Sequence, residues 1–406
     1  MRNAVAAALA ALLALGVVAL RPDAASAVAV QQTLIATSTG PGGGPHVKLF
    51  TADGQERASF FAYDAGFTGG LSVALGDINN DGRLEIITGA GPGGGPHVRV
   101  FNDRGVPIDK WAFFAYDPAF HGGVNVSVSD VNGDGRDEIV TAPMGGGGPH
   151  VKVWNVGTDA TTMRSQFFAY DATFTGGVQL SGAYVDNSNN EGIVTGAGPG
   201  GGPHVKTWSA TNQQVGSWFA YAANYTGGVG VTYFSDDDDD IDEIATSALS
   251  GNGQIRSFDV SGQPASVSFD AFDQSVHTGA AIASVVAEDN GPFLVAPFGA
   301  GPGVCANNSA PPNCTRGDYV HMRDFDGAPT LQLLPYPGFQ GGIRVAGAFG
   351  LYDPSPPPTT TTTTPTSTTS TSTTSTTVPP TTTTSTSTTM PPTTTTSTST
   401  TSTTAP

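Results

Sequence analysis

The apolar residues of this chain fall in short runs separated by glycine, aspartate and proline, and none of the runs has helical spacing. Four kinds of run recur in a fixed order. The first reads GGVxVxxxD, as at Gly122–Asp130, and the second EIVT or EIIT, as at Glu85–Gly89. The third reads PHVKVW, as at Pro149–Trp154, and the fourth FFAYD, as at Phe113–Asp117. Each is rich in Val, Ile, Thr, Phe and Tyr and is bounded by turn residues, which predicts four short strands per unit.

The joint between the second and third runs is the most regular stretch. GAGPGGGPHVRVF at Gly89–Phe101 has close copies at Gly40–Phe50, Ala142–Trp154 and Gly196–Trp208. Its histidines, His46, His97, His150 and His204, recur at intervals of 51, 53 and 54 residues. The fourth run occurs six times, at Phe60–Asp64, Phe113–Asp117, Phe167–Asp171, Trp218–Ala222, Phe269–Asp273 and Leu333–Pro337. A glycine pair or its remnant follows each copy. The third run also occurs six times, with Gln254 replacing the histidine at Gly253–Phe258 and His321 restoring it at Val320–Phe325. Four strands repeated at this period predict an all-β, six-bladed β-propeller. The repeated part opens on a second run, Thr33–Thr37, and closes on a first run, Gly341–Leu351. The last strand is therefore expected to complete the first blade, leaving no open edge in the ring.

Charge and composition divide the chain into three. Residues 1–27 have Arg2, an apolar run from Ala4 to Leu20 and Ala25-Ser26-Ala27, the pattern of a signal peptide cleaved after Ala27. No membrane span is expected once it is removed. Residues 354–406 are almost wholly Thr, Ser and Pro, with nothing apolar to bury, and read as a disordered stalk. The folded domain is then 28–353, and it carries almost all of the net charge of −18. That charge argues against a nucleic-acid partner and suits cations. The two cysteines, Cys305 and Cys314, are close in sequence and in a secretory context predict a local disulfide.

The candidate chemistry lies between the first and second runs. Asp77, Asn79, Asp81 and Glu85 stand at positions 1, 3, 5 and 9 of one loop, and Asp130, Asn132, Asp134 and Glu138 at the same positions of the next. Glycine at position 6 allows the sharp turn, and Arg83 and Arg136 at position 7 can offer main-chain carbonyls. Hard oxygen ligands at this spacing point to Ca²⁺. The same composition also makes plain turns, and two copies in register favour calcium. The twelfth positions hold Thr88 and Thr141, so these are not EF-hands. A third candidate is Ser235, Asp237, Asp239 and Glu243, which lacks the glycine; the loops at Tyr184–Gly192 and Ala287–Pro292 have lost the pattern.

On these loops and repeats the sequence resembles the FG-GAP (VCBS-type) repeat family, best known from the integrin α-subunit propellers, along the whole folded domain. In that family DxDxDGxxD binds calcium between the first two strands of a blade. The resemblance implies the same role for Asp77–Glu85 and Asp130–Glu138. Here Asn79, Asn132, Glu85 and Glu138 depart from the family residues, and the lower charge implies weaker binding. Integrin-type propellers have seven blades, whereas the count here is six.

Other repeated residues read as architecture. The glycine-rich joint lacks GK[ST] and a following helix, so it is a turn rather than a phosphate loop. The histidines lack a second ligand at zinc spacing and are expected to bond loop backbone once per blade. The base two residues on (Lys48, Arg99, Lys152, Lys206, Arg256, Arg323) invites a blade-to-blade ion pair with Asp64, Asp117, Asp171 and Asp273; a solvated face is the alternative. No catalytic set stands out. The sequence thus predicts a secreted, monomeric, non-enzymatic binding or adhesion module for an extracellular protein or glycan. The alternatives are a lectin using Trp154, Trp208 and Trp218, and a hydrolase or lyase on the calcium face. Function is expected where the symmetry breaks: the insertion Gly301–Gly317, the run Asp236–Asp240, and His121 and His277.

Overall fold

The computed structural model describes residues 30–236, 241–272, 277–284, 293–297, 319–324, 327–339 and 341–352. Residues 1–27, where a signal peptide is expected, the Thr/Ser/Pro tail, Cys305 and Cys314, and the insertion 301–317 lie outside the described residues. The described residues form six four-stranded antiparallel sheets. Five run in simple sequence order, beginning at Leu71–Gly76, Val124–Ser129, Val178–Ala183, Val229–Asp236 and Ala280–Ser284. The sixth is made from both ends of the domain. Ile343–Tyr352 is its innermost strand and pairs antiparallel with Val30–Thr39 over ten residues, from Thr39 opposite Ile343 to Val30 opposite Tyr352. The strands His46–Thr51 and Glu56–Phe61 complete that blade. The ring is closed as the sequence predicts, with six blades.

Burial follows strand position. The first two strands of a blade lie between neighbouring sheets, so Leu71–Gly76, Glu85–Ala90 and Glu138–Pro143 are buried along their whole length. The fourth strand is at the rim and alternates, as in Glu56–Phe61. The core is six clusters, each shared by two adjacent blades. Trp154 and Trp208 belong to these clusters. Their rings pack 4.5 Å from Phe113 and Phe167 of the preceding blade, and their indole N–H groups donate to Thr141 and Thr195. They offer no face to a sugar.

The repeated polar residues join blade to blade. The tyrosine of FFAYD donates its hydroxyl to the carbonyl of the third-strand residue one blade on: Tyr63 to His97 (2.8 Å), Tyr116 to His150 (2.7 Å), Tyr170 to His204 (2.9 Å) and Tyr221 to Gln254 (2.7 Å). Across the closure, Tyr336 does the same to His46 at 3.0 Å. Among the described residues, which do not include Asp273, the repeated bases do not form the expected ion pairs. Arg99, Lys152, Arg256 and Arg323 donate to the carbonyls of Ala62, Ala115, Ala220 and Ala271 in the preceding blade, at 2.6–3.0 Å. Asp64, Asp117 and Asp171 instead accept N–H groups of their own turns. The histidines also differ from expectation. Rather than bonding loop backbone, their rings lie against Phe61, Phe114, Phe168 and Phe219 of the fourth strand, 4.7–5.1 Å between centroids. His46 and His204 bond the hydroxyls of Ser59 and Ser217 on that strand.

The strand order sends two sets of connections to opposite faces. The candidate metal loops and the third-to-fourth-strand turns share one face; the glycine-rich joints and the glycine pairs share the other. The innermost strands of all six blades line a central channel of about 500 Å³.

Candidate metal loops

Leu71–Gly76 and Glu85–Ala90 pair as far as Gly76 opposite Glu85, which leaves residues 77–84 to cross between them. Ser129 opposite Glu138 sets the same boundary in the next blade. An aspartate at position 1 organises each crossing. The carboxylate of Asp77 accepts the N–H groups of Asn79, Asp81 and Gly82 at 3.3, 3.2 and 2.7 Å. Asp130 accepts those of Gly133, Asp134 and Gly135 at 2.8, 3.2 and 2.9 Å. At position 5, Asp81 and Asp134 accept the N–H groups of Arg83 and Arg136. Both loops are series of aspartate-closed turns.

Position 9 closes each loop from below. Glu85 accepts the Ile78 N–H and the side-chain amide of Asn79, and Glu138 accepts the Val131 N–H and the amide of Asn132. Both glutamates are only 3% exposed. Burial, then the charges of Asp81, Asp77 and Asp103, pushes the Glu85 carboxyl up to about 8. Burial also raises Glu138, to about 7, against the opposing pull of Arg164 and with further help from Asp134 and Asp130.

The loops are also joined to one another. Asp137 at position 8 donates its N–H to the carbonyl of Asp77 at 3.0 Å. Glu191 of the next loop donates to the carbonyl of Asp130, and its carboxylate accepts the Asp130 N–H, both at 3.1 Å. On the other side, the Leu351 N–H of the closing strand reaches the Gly82 carbonyl at 2.9 Å. One chain of bonds therefore runs from the closing strand through three successive loops. Asp137 and Glu191 line the channel mouth beside Asp77. Reading the loops for ligands alone misses these two residues. The acid at position 8 in three loops (Asp137, Glu191, Asp242) is the signal that identifies them.

The third candidate loop is built differently. Ser235 and Asp236 pair with Asp242 and Ile241, so position 1 is a ladder residue and not a turn. Glu243 is buried like Glu85. Asp237 and Asp239 lie outside the described residues.

All the side-chain donors in the two described loops are hard oxygens, which suits calcium. Among the described residues, no three His, Cys, Asp or Glu side chains are gathered so that one ion could be held. Their carboxylates face main-chain N–H groups, and a bound ion requires them to turn inward. In the metal-free protein the buried glutamates set a pH dependence. A folded-state carboxyl raised from 4.5 to about 8 keeps its proton where the unfolded chain has lost it. That contribution is therefore lost as pH rises through this interval. With chelator present, the urea midpoint should fall between pH 5 and pH 8; a midpoint that rises would contradict the burial of Glu85 and Glu138.

The FG-GAP repeat family model matches residues 69–104, which cover the first three strands of the blade beginning at Leu71 and the first candidate metal loop. No curated protein matches the chain. Among solved structures, a protein of unknown function from Bacteroides caccae is 11% identical, with 78% of this chain and 99% of that chain covered and a TM-score of 0.46. Apo AztD from Citrobacter koseri is 12% identical over 79% of this chain and 99% of its own, with a TM-score of 0.40. The rhamnogalacturonan lyase PL11 of Bacillus licheniformis is 13% identical over 75% of this chain and 63% of its own, with a TM-score of 0.39. With six sheets closed through the strand Ile343–Tyr352, the chain is a six-bladed β-propeller, and residues 69–104 of it match the FG-GAP repeat.

Proposed function

We propose that the protein is a secreted, calcium-stabilised β-propeller that acts as a non-enzymatic binding or adhesion module for an extracellular protein or glycan. The observation that carries the calcium reading is the burial of Glu85 and Glu138 among other acids, at loops that tie blade to blade. A divalent cation there offsets the repulsion and holds the joint. Asp77, Asn79, Asp81, Glu85 and the Arg83 carbonyl would hold one ion. Asp130, Asn132, Asp134, Glu138 and the Arg136 carbonyl would hold a second. Secretion rests on Arg2, the run Ala4–Leu20 and Ala25-Ser26-Ala27. The binding role rests on how the repeated polar residues are used: tyrosines and bases bond neighbouring blades, and histidines brace the rim.

The test is thermal unfolding with and without chelator. Chelation should lower the midpoint by several degrees, since about 1 kcal/mol corresponds to roughly 2–4 °C in a domain of this size. Calcium should restore the midpoint; an unchanged midpoint would remove the basis of the reading. Carbohydrate binding is supported by Phe61, Phe114, Phe168 and Phe219, each about half exposed at the same place on successive blades. A glycan array separates the two readings. A repeated-site lectin gives saturable glycan binding that weakens with Phe168→Ser, and a protein-binding module gives none.

A further inference from the structure

The third residue of each innermost strand is apolar and branched in every blade: Val73, Val126, Leu180, Val231, Ile282 and Val345. These six line both the central channel of about 500 Å³ and a cavity of about 90 Å³ beyond it, so they form a collar between the two. The channel is therefore a vestibule with an apolar floor, and its mouth lies among the candidate metal loops. Leu75, Val128 and Phe349 carry the apolar wall upward from the collar.

The charge of the vestibule has one sign. Among the described residues lining it, Asp77, Asp137 and Glu191 are acids and none is a base. The carboxylate of Asp77 is engaged by N–H groups of its own loop. Asp137 is turned the other way. Its Oδ2 lies over the innermost strand of the preceding blade, where a Cβ on Gly76 would stand 2.5 Å from it. Asp137 accepts the Asp77 N–H and Glu191 accepts that of Asp130, but among the described residues neither forms an ion pair. A single N–H leaves most of a carboxylate's charge uncompensated where water is partly excluded. From Val73 in the collar to Gly76 beside Asp137 is three residues of strand, about 10 Å. Floor and acid thus stand one short alkyl chain apart.

We propose that the vestibule binds a small organic ammonium ion, with its alkyl chain on the collar and its N–H groups on Asp137. The site is separate from the calcium loops, because Asp137 stands at position 8 and is not among their candidate ligands. A bare metal ion would leave the collar unused, and among the described residues no three His, Cys, Asp or Glu side chains are gathered to hold one. An organic anion would meet the acids at the mouth.

The full-length protein, in calcium-containing buffer at constant ionic strength, should be titrated with hexylammonium chloride and followed by saturation-transfer NMR. Saturable binding is expected. Butylammonium should bind roughly tenfold more weakly, because two fewer methylenes are buried, and hexanoate should not bind. Asp137→Asn should weaken hexylammonium binding roughly tenfold or more. Asp159→Asn, at an exposed acid that does not line the vestibule, should leave it unchanged. The proposal is overturned if hexylammonium does not saturate, or if butylammonium or hexanoate binds as tightly. It is equally overturned if folded Asp137→Asn binds like the parent, or if Asp159→Asn weakens binding as much. Should Asp137→Asn fail to fold, the order of the three ligands on the parent protein decides.

Discussion

Deleting Ile343–Tyr352 is expected to leave a chain with no cooperative thermal transition. This strand is the inner wall of the blade that closes the ring, and it pairs with Val30–Thr39 over ten residues. Ile343, Val345 and Ala346 are buried, and they contribute to the two clusters on either side of that blade. The deletion removes two inter-blade interfaces at once. Burying a side chain of this kind is worth about 1.5–3 kcal/mol, and whole domains are stable by only about 5–15 kcal/mol. Losing the ladder and both interfaces exceeds that margin. It also bares the edge of Val30–Thr39, a long strand with several buried apolar residues, so aggregation should accompany unfolding. Circular dichroism during heating measures this directly. A midpoint within a few degrees of the parent would show that the ring does not depend on its closing strand.

Gly177→Ala should be the most damaging single change of its size on the glycine-loop face. Gly177 has φ of +88°, and a Cβ there would overlap the carbonyl oxygen of Met144 in the preceding blade. Both the left-handed backbone and the inter-blade contact oppose a side chain. Gly200, on the same face, has φ of +90° and no atom within 4 Å of the point a Cβ would occupy. Gly200→Ala therefore carries only the backbone cost, about 1–2 kcal/mol. Gly177→Ala adds the displacement of main chain and should cost about 3 kcal/mol or more. Urea denaturation of the pair separates the two terms. Equal losses would mean that the blade-to-blade contact at Met144 yields freely.

Much of this architecture was legible in the sequence because period-two strands, glycine turns and a repeat of about fifty residues all point the same way. The closure was legible because the repeated part begins on a second run and ends on a first. The departures from expectation have local causes. Charge alone matches Arg99 and Lys152 to aspartates, yet the nearer acceptor is the alanine carbonyl two residues before each aspartate, and the aspartate is taken by its own turn. The histidines stand at the end of a glycine-rich joint, each just after a proline, which suggests a loop role, but their rings reach across to the neighbouring strand. Phe168 stacks on His150, while at the corresponding positions Gln254 faces Asp270. Sequence places the acids of the candidate metal loops but not their bonds. The joints made by Asp137 and Glu191 depend on the distance between blades, and that distance appears only in three dimensions.

The central claim is that the loops joining the blades bind calcium. Equilibrium dialysis of the chelator-stripped, full-length protein against radioactive calcium tests it most directly. At least two ions per chain are expected, with one fewer in Asp134→Ala. A protein that binds no calcium at millimolar concentration, or a variant that keeps every ion, would contradict the account.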